Sequence, residues 1–549
     1  MGVADERQQL LPVECADSNA ACYDSAWKLA PVTSPSAARN QLENGALRIG
    51  APPRLLSREM LGLLMQYAGI GFVSGVLPAV IYPLLQGFLN AEGTTVVSAN
   101  VLVHLPWSYK VFLGILSDCF PLGGFRRRPW MVLGWVLCCC MLFRMASFAG
   151  TAPYYGDPAM HLTSPDQWTQ AQRESINHSA PDAAGKYVIP MTLAAFGYLL
   201  AEVPADAVLV DTRSENHRLH VAAFRVYGGS FDFSLSFPQM MFILGCLSVP
   251  LAPAAWCFVR EEEVHPPKFD AYISRFWRIL QQRAVCQLAA YDFLSGVFNN
   301  FNPVAFSNIK LYWVHATPFN ASIMAIIGTF VYTGTLGVMA QRGLNWNWRV
   351  AIAMTVILGV VTDSIMTMLV TWDIARNQWL WLGVPIIVYI PHGVQFIVDN
   401  YVIVELIELG SEGALFGLLS TTTHVAAPFG RTAAKLINAR FHVWKGDIVA
   451  DTYATRRDVT ITILICYGMK LASLAFLPLL PSQKAATQEL RRHGGVSRRM
   501  GVCMVSILLL ALAWSTAVNL LSMHPHTKCW AITGGCAPMQ LHPQPSPLG

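Results

Sequence analysis

Apolar residues in this chain come in blocks near 20 long, and that block length constrains the fold more than any other feature. A helix of about 20 apolar residues crosses the ~30 Å hydrocarbon core of a bilayer. No water is available there to satisfy backbone N–H and C=O groups, so each such block must form its own hydrogen bonds as a helix. Blocks of this kind fall near 60–86, 95–118, 129–150, 187–209, 218–236 and 238–259. A charged stretch from Arg260 through Glu261, Glu262 and Glu263 to Arg283 separates them from a second set near 284–308, 321–341, 349–371, 379–401, 413–438 and 458–480. The pattern predicts an all-α polytopic membrane protein built from two pseudo-repeated six-helix bundles. Composition agrees, because only 13% of residues are charged and 54% are hydrophobic. Soluble chains carry about a quarter charged residues.

Around these bundles the chain divides simply. Residues 1–54 are polar and read as a disordered cytoplasmic tail, 55–259 as the first bundle and 260–283 as a cytoplasmic linker. Residues 284–480 form the second bundle and 481–499 a basic cytoplasmic segment. The run 500–521 is apolar and free of charge, so it predicts a thirteenth spanning helix, with 522–549 as a tail outside. There Cys529 and Cys536 can close a small disulfide loop. The alternative is a helix lying on the bundle or the membrane surface. Loop Lys and Arg collect on one side when the N-terminus is placed inside, as orientation by basic loops requires. Two glycosylation sequons, Asn177-His178-Ser179 and Asn320-Ala321-Ser322, then fall in outer loops. The tail sequence Glu6-Arg7-Gln8-Gln9-Leu10-Leu11 resembles an acidic dileucine sorting signal. The expected location is therefore the plasma membrane or an endosomal or vacuolar membrane.

One stretch, Leu105 to Trp135, carries the most specific pattern. An apolar segment holding Lys110 ends at Asp118, turns through Pro121 and Gly124, and meets Arg126, Arg127 and Arg128 before the next apolar segment. The order of Gly114, Asp118 and the three arginines resembles the helix 2–helix 3 loop of the major facilitator superfamily. The longer series Lys110, Gly114, Ser117, Asp118, Pro121, Gly124, Arg126, Arg127, Arg128 and Pro129 resembles the folate–biopterin transporter family, although Ser108 and its neighbours depart from the usual lead-in. The run Ala205-Asp206 to Asp211 and the run Glu412-Gly413 to Leu419 resemble further motifs of that family, so the likeness covers about residues 55–480. The corresponding place in the second half keeps glycine, spacing and basic flanks in Gly337, Gln341, Arg342 and Arg349, with an amide in place of the acid.

The resemblance implies the major facilitator fold and secondary transport of folate or pteridine by alternating access. In the superfamily Asp118 and the loop arginines act as a cytoplasmic gate. Gly114, Arg126, Arg127, Arg128, Asp211 and Glu405, all near helix ends, are expected to share that gate with Asp118. Deeper charges are costly, about 2.5–3.5 kcal/mol each on insertion scales, so they are expected to line a hydrated path or to pair with one another. Lys110, Glu202, Asp206, Arg225, Asp292, Asn300 and Arg431 are the candidates for cargo binding or coupling. A folate joins a donor-and-acceptor pterin edge to two carboxylates, which calls for cations, carboxylates or amides, and aromatic faces. Lys110, Arg225 and Arg431 supply the cations. Glu202 and Asp206 are the first candidates for carrying a coupled proton, because a desolvated carboxylate takes up a proton near neutral pH.

Several readings are set aside or kept open. No Gly-rich phosphate loop occurs, so ATP is not the expected energy source. No metal-ligand spacing of Cys and His occurs, and no cofactor is implied. The net charge of +5 follows from loop arginines and implies no nucleic-acid partner; the partners expected are a small-molecule cargo, membrane lipid and a proton. Another cargo on the same fold, such as S-adenosylmethionine or an amino acid, remains open. So does a receptor role. A membrane-embedded enzyme is disfavoured because His104, His392 and His424 are scattered.

Overall fold

The computed structural model describes residues 58–535, apart from 149, 157–159, 161–167, 212–235, 260, 262–267, 344–345 and 407–411. The tail with its dileucine pattern, the fifth block with Arg225, and Cys536 lie outside the described residues. Among those described the chain is helical, with no strand beyond two isolated bridges, and eight helices are long and apolar enough to cross a membrane.

The first half contains α1 (Arg58–Ile81), α2 (Gly93–His104), α3 (Lys110–Cys119), α4 (Arg128–Ala146), α5 (Ala184–Asp211), α6 (Phe237–Ser248) and α7 (Leu251–Phe258). The second block is thus not one straight helix. Pro106 lacks an N–H and interrupts the α ladder, so Leu105–Tyr109 tightens into a 3-10 turn between α2 and α3. The second half holds α9 (Arg283–Asn299), α10 (Ala305–Tyr312), α11 (Pro318–Arg342), α12 (Trp348–Thr371), α13 (Gln378–Gly383), α14 (Pro385–Leu406), α15 (Glu412–Asn438), α16 (Lys445–Ala450) and α17 (Tyr453–Ala472). Polar side chains start several of these where the chain leaves the loop. Thr317 caps α11, Asn347 caps α12 and Thr452 caps α17, each oxygen accepting from a first-turn amide.

The halves pack as membrane bundles do. At the α4–α5 crossing a Cβ on Gly134 would lie 2.6 Å from the Gly197 carbonyl oxygen, and one on Gly197 2.6 Å from the Cys138 nitrogen. Only glycine allows this approach, which fixes α5 and the charges it carries against α4. On the outer surface Val350, Met354, Val361 and Ile365 of α12 are exposed on one face, as lipid contact requires.

The linker contains a helix that a reading by charge alone passes over. Residues 268–280 hold α8 (Phe269–Leu280), with Phe276 and Trp277 packed on the core and Ile279 and Leu280 buried. Their apolar spacing is the amphipathic signal, but it is diluted by Asp270, Arg275 and Arg278.

Past the second half, α18 (Lys484–His493) leads to α19 (Arg498–Met523). The start of α19 is tied to the inner end of α9, where Arg283 N–H donates to Gly495 O at 3.0 Å and Ser497 N–H to Gln281 O at 2.8 Å. Its end reaches the opposite face, where a Cβ on Gly185 in the first turn of α5 would lie 2.9 Å from Met523 O. The helix therefore runs the full depth of the bundle. Beyond it Cys529 is disulfide-bonded.

Candidate functional site

Lys110 is 4% exposed and begins α3 just after the 3-10 turn. Its Nζ donates to Glu202 Oε1 and Asp206 Oδ2, both at 3.0 Å. Glu202 and Asp206 stand one turn apart on α5, so they present both carboxylates to one ammonium. Tyr67 of α1 donates its hydroxyl to Asp206 Oδ1 at 2.7 Å, and the Trp107 ring lies 4.5 Å under Lys110 Nζ. Trp107 in turn donates to the Tyr198 hydroxyl at 3.2 Å. One cation thus sits between two acids and an aromatic face, and the group carries one net negative charge when fully ionised.

This group borders the second half. The Trp107 ring meets His424 of α15 at 5.1 Å, Ser108 Oγ donates to His424 O at 2.8 Å, and Val111 N–H donates to Thr421 Oγ1 at 2.9 Å. Tyr198 falls one turn before Glu202 on the same face, a spacing that would have identified it from the sequence. Tyr67 and His424 come from distant helices and carry no such signal.

The second half holds the other charges. Arg431 of α15 has no ion-pair partner among the described residues, and its electrostatic neighbour is His392 of α14. Asp363 of α12 accepts from the Tyr467 hydroxyl at 2.7 Å, with Lys470 5.5 Å over the Tyr467 ring. Asn300 donates to Gly296 O of its own helix at 2.8 Å. Asp292 is buried on α9 within Coulombic reach of Asp399 on α14.

At the inner end Asp118 accepts from Arg126 Nη2 at 3.1 Å and from the Tyr272 hydroxyl of α8 at 3.0 Å. Burial, reinforced by the Asp118 carboxylate, pushes the Tyr272 pKa up and keeps that hydroxyl a donor. The backbone amides of Arg126, Arg127 and Arg128 converge on the Glu261 carboxylate at 2.8–3.1 Å. In the second half Arg349 reaches the end of the last helix in the same way, donating to Leu480 O and Pro478 O. Each basic loop thus grips the chain leaving the sixth helix of its own half. Among the described residues, Asp118 at the start of this loop is joined to the linker helix α8 by the Tyr272 hydroxyl. A Cβ on Gly114 would meet Val203 at an ordinary 3.8 Å. Asp211 and Glu405 end α5 and α14, with side chains outside the described residues.

At the outer end the halves meet directly through residues on short helices and the turns beside them, where sequence periodicity gives no signal. Gln86 donates to Asn308, Lys310 Nζ lies 4.5 Å over the Tyr82 ring, and Lys445 Nζ donates to Asn90 Oδ1. The Lys445 amide donates to Glu92 Oε2 at 3.4 Å. Burial pushes the Lys445 pKa down to about 8 against the pull of Glu92, and burial pushes Glu92 up against the pull of Lys445. Burying the pair thus costs more than the pairing returns, which suits a seal that must reopen. Lys445→Met should take the ammonium away from Asn90 and from the neighbourhood of the buried Glu92 carboxylate, and shift the protein toward an open outer end. Spin-label distances between residues 94 and 439 should lengthen in this variant and return in Lys445→Met/Glu92→Gln; an unchanged distribution in the single variant would refute the seal.

Comparison with known proteins agrees with this architecture. The BT1 family profile matches residues 71–162. A folate–biopterin transporter from Synechocystis sp. is 24% identical over 78% of this chain and 82% of its own length. A probable folate–biopterin transporter 4 from Arabidopsis thaliana is 39% identical over 67 residues, 12% of this chain and 13% of that protein. In fold, the chain superposes on a D-xylose–proton symporter with a TM-score of 0.52 at 13% identity, over 77% of this chain and 97% of the symporter. The family resemblance read from the Lys110–Pro129 loop therefore holds, and the chain is a multi-pass membrane transporter of the major facilitator fold related to the folate–biopterin transporters.

Proposed function

We propose that this chain moves folate or a pteridine such as biopterin across a membrane by alternating access, with proton coupling. The observation that carries the reading is the division of charge across the seam between the halves. On one side Lys110 is already neutralised by Glu202 and Asp206 and leaves an acid-rich, aromatic-lined group. On the other, Arg431 has no internal carboxylate partner among the described residues. A pterin edge, rich in N–H donors, suits the acidic group and the Trp107 face; a glutamate tail suits Arg431. This assigns Lys110 to holding the acids in place and leaves the anionic end of the cargo to Arg431. The names of the two relatives support the cargo class.

Gate roles follow the same division. The outer seal joins the halves through Lys445, Asn90, Gln86 and Asn308. Asp118 and the loop arginines act on the inner end through Tyr272 of the linker helix. Counterflow of labelled folate and labelled biopterin into proteoliposomes tests the reading. Both cargoes should exchange above protein-free vesicles, and Arg431→Gln should weaken folate exchange by at least about tenfold, the lower end of the loss expected when one charged hydrogen bond worth about 1.5–3 kcal/mol is removed, while leaving biopterin within about twofold. Absence of exchange for both cargoes would refute it.

A further inference from the structure

We propose that the arginines gathered where the linker meets the last helix bind the phosphate headgroups of anionic phospholipid, in the leaflet at the linker end of the bundle. Two segments distant in sequence are pinned side by side there. Arg283 N–H donates to Gly495 O at 3.0 Å, Ser497 N–H donates to Gln281 O at 2.8 Å, and Gln282 pairs with Val496 as an isolated antiparallel bridge. The approach is close. A Cβ on Gly494 would lie 3.7 Å from Arg283 Cβ, and one on Gly501 3.0 Å from Leu280 O. Arg278 and Arg283 are exposed on the first segment, Arg498 and Arg499 on the second, and Arg491 is exposed at the end of α18 just before it. Neither segment carries a counter-charge in its sequence, since 271–283 and 490–500 contain no Asp or Glu.

Folding therefore brings these guanidinium groups together against their mutual repulsion, a cost that bound anions offset. Their depth identifies the anion. Val502, Ile507, Leu509 and Leu510 of α19 are 44–69% exposed, a run of apolar surface that belongs against lipid tails. Val502 follows Arg499 by three residues, about 4.5 Å along the axis at a helical rise of about 1.5 Å per residue. The arginines thus stand where hydrocarbon gives way to headgroups. Val496, 70% exposed between the arginines of α18 and α19, adds an apolar contact at the same edge. A guanidinium fork matches paired phosphate oxygens, and basic clusters beside a membrane helix attract anionic lipid. Retention of basic loops on the inner side requires only the number of their charges. Clamping two basic segments side by side does something more. A headgroup seated on arginines of both segments ties the start of the second half to the start of α19.

The experiment uses the full chain in neutral detergent and reads lipid retention by native mass spectrometry together with the thermal midpoint. The probe is dioleoylphosphatidylglycerol, with dioleoylphosphatidylcholine as the control of zero net charge. Wild type should retain the anionic lipid about tenfold more tightly than the control and melt at a higher temperature with it. Arg498→Gln/Arg499→Gln should weaken retention of the anionic lipid by about tenfold or more, while Arg498→Lys/Arg499→Lys, which keeps the charges, should preserve most of it. Arg278→Gln/Arg283→Gln on the other segment should lose it as well, and carries the test if the first glutamine pair fails to fold. Preference for the anionic lipid retained in full by a folded glutamine variant would overturn the proposal. Inorganic phosphate or polyglutamate that raised the wild-type midpoint as far as the lipid does would assign the patch to a soluble anion or an acidic protein, and would overturn it too. Neither measurement involves cargo, so the result stands whether or not folate and biopterin prove to be carried.

Discussion

Lys110→Met should destabilise the protein by about 3–5 kcal/mol, the cost of removing one partner from a buried charge group, and reduce cargo exchange to background. The side chain is 6% exposed, and its ammonium is the shared donor to Glu202 Oε1 and Asp206 Oδ2. Without it two carboxylates one turn apart on α5 face each other beside the Tyr67 hydroxyl and the Trp107 ring, and lose the ammonium they share. Repulsion and desolvation then act together. The triple variant Lys110→Met/Glu202→Gln/Asp206→Asn removes all three charges and should recover most of the lost thermal stability, because a neutral group of similar volume needs no ion pairing. It should not recover exchange, since the acidic pterin-facing group has gone. A thermal midpoint for Lys110→Met within a degree of wild type would show that the group is hydrated in the membrane and that the ion pairs do not hold it. Recovery of both stability and exchange in the triple variant would show that the charges are structural only.

The membrane-spanning architecture was legible because hydrophobic block length and loop arginines report directly on the bilayer. The boundaries of α4, α9, α12 and α19 fall within a few residues of the blocks read from the chain, except that the block opening with α9 runs on through the loop after Asn299 into α10. The helical pairing of Glu202 with Asp206 was legible for a related reason: local periodicity fixes which side chains share a face. Partners from distant helices were not. Nothing in the sequence near Lys110 points to Tyr67, and nothing near Asp292 points to Asp399, which from its position alone belongs with the solvated charges at the inner end of its helix. The outer seal was missed because Asn90, Glu92 and Lys445 lie in or beside short loops, where no periodicity applies. The linker helix α8 was hidden behind its charges. In the loop after α3, the sequence showed the residues but not that Glu261, from the far end of the same half, would collect three consecutive amides.

Ending the chain at residue 497 should destabilise the transporter strongly, and Lys435→Met should reverse much of that loss. Lys435, near the outer end of α15, is fully buried, and its Nζ donates to Ser98 Oγ of α2 and Ser522 Oγ of α19, both at 2.8 Å. Gly534, with φ of 102°, packs its backbone along the lysine methylenes, where a Cβ would come within 3.3–3.5 Å of the side chain. Asn519 donates to Thr432 at 2.8 Å, Trp514 meets Phe429 at 4.8 Å, and Thr516 meets Tyr109 at 3.1 Å. Helix α19 therefore covers the line where α2 and α15, one from each half, come together. Its removal exposes that line to lipid and leaves an ammonium facing hydrocarbon, a cost of up to about 2.5–3.5 kcal/mol if the charge cannot reach the interface. In the full-length chain Lys435→Met should change the thermal midpoint little, because Ser98 and Ser522 also donate to the Thr94 and Val518 carbonyls and stay satisfied. The two changes must therefore be non-additive if the helix shields the lysine. Thermal midpoints of the four chains, wild type, Lys435→Met, truncated and truncated Lys435→Met, measure that coupling directly. Equal losses on truncation with and without Lys435 would mean that α19 contributes through its apolar contacts alone.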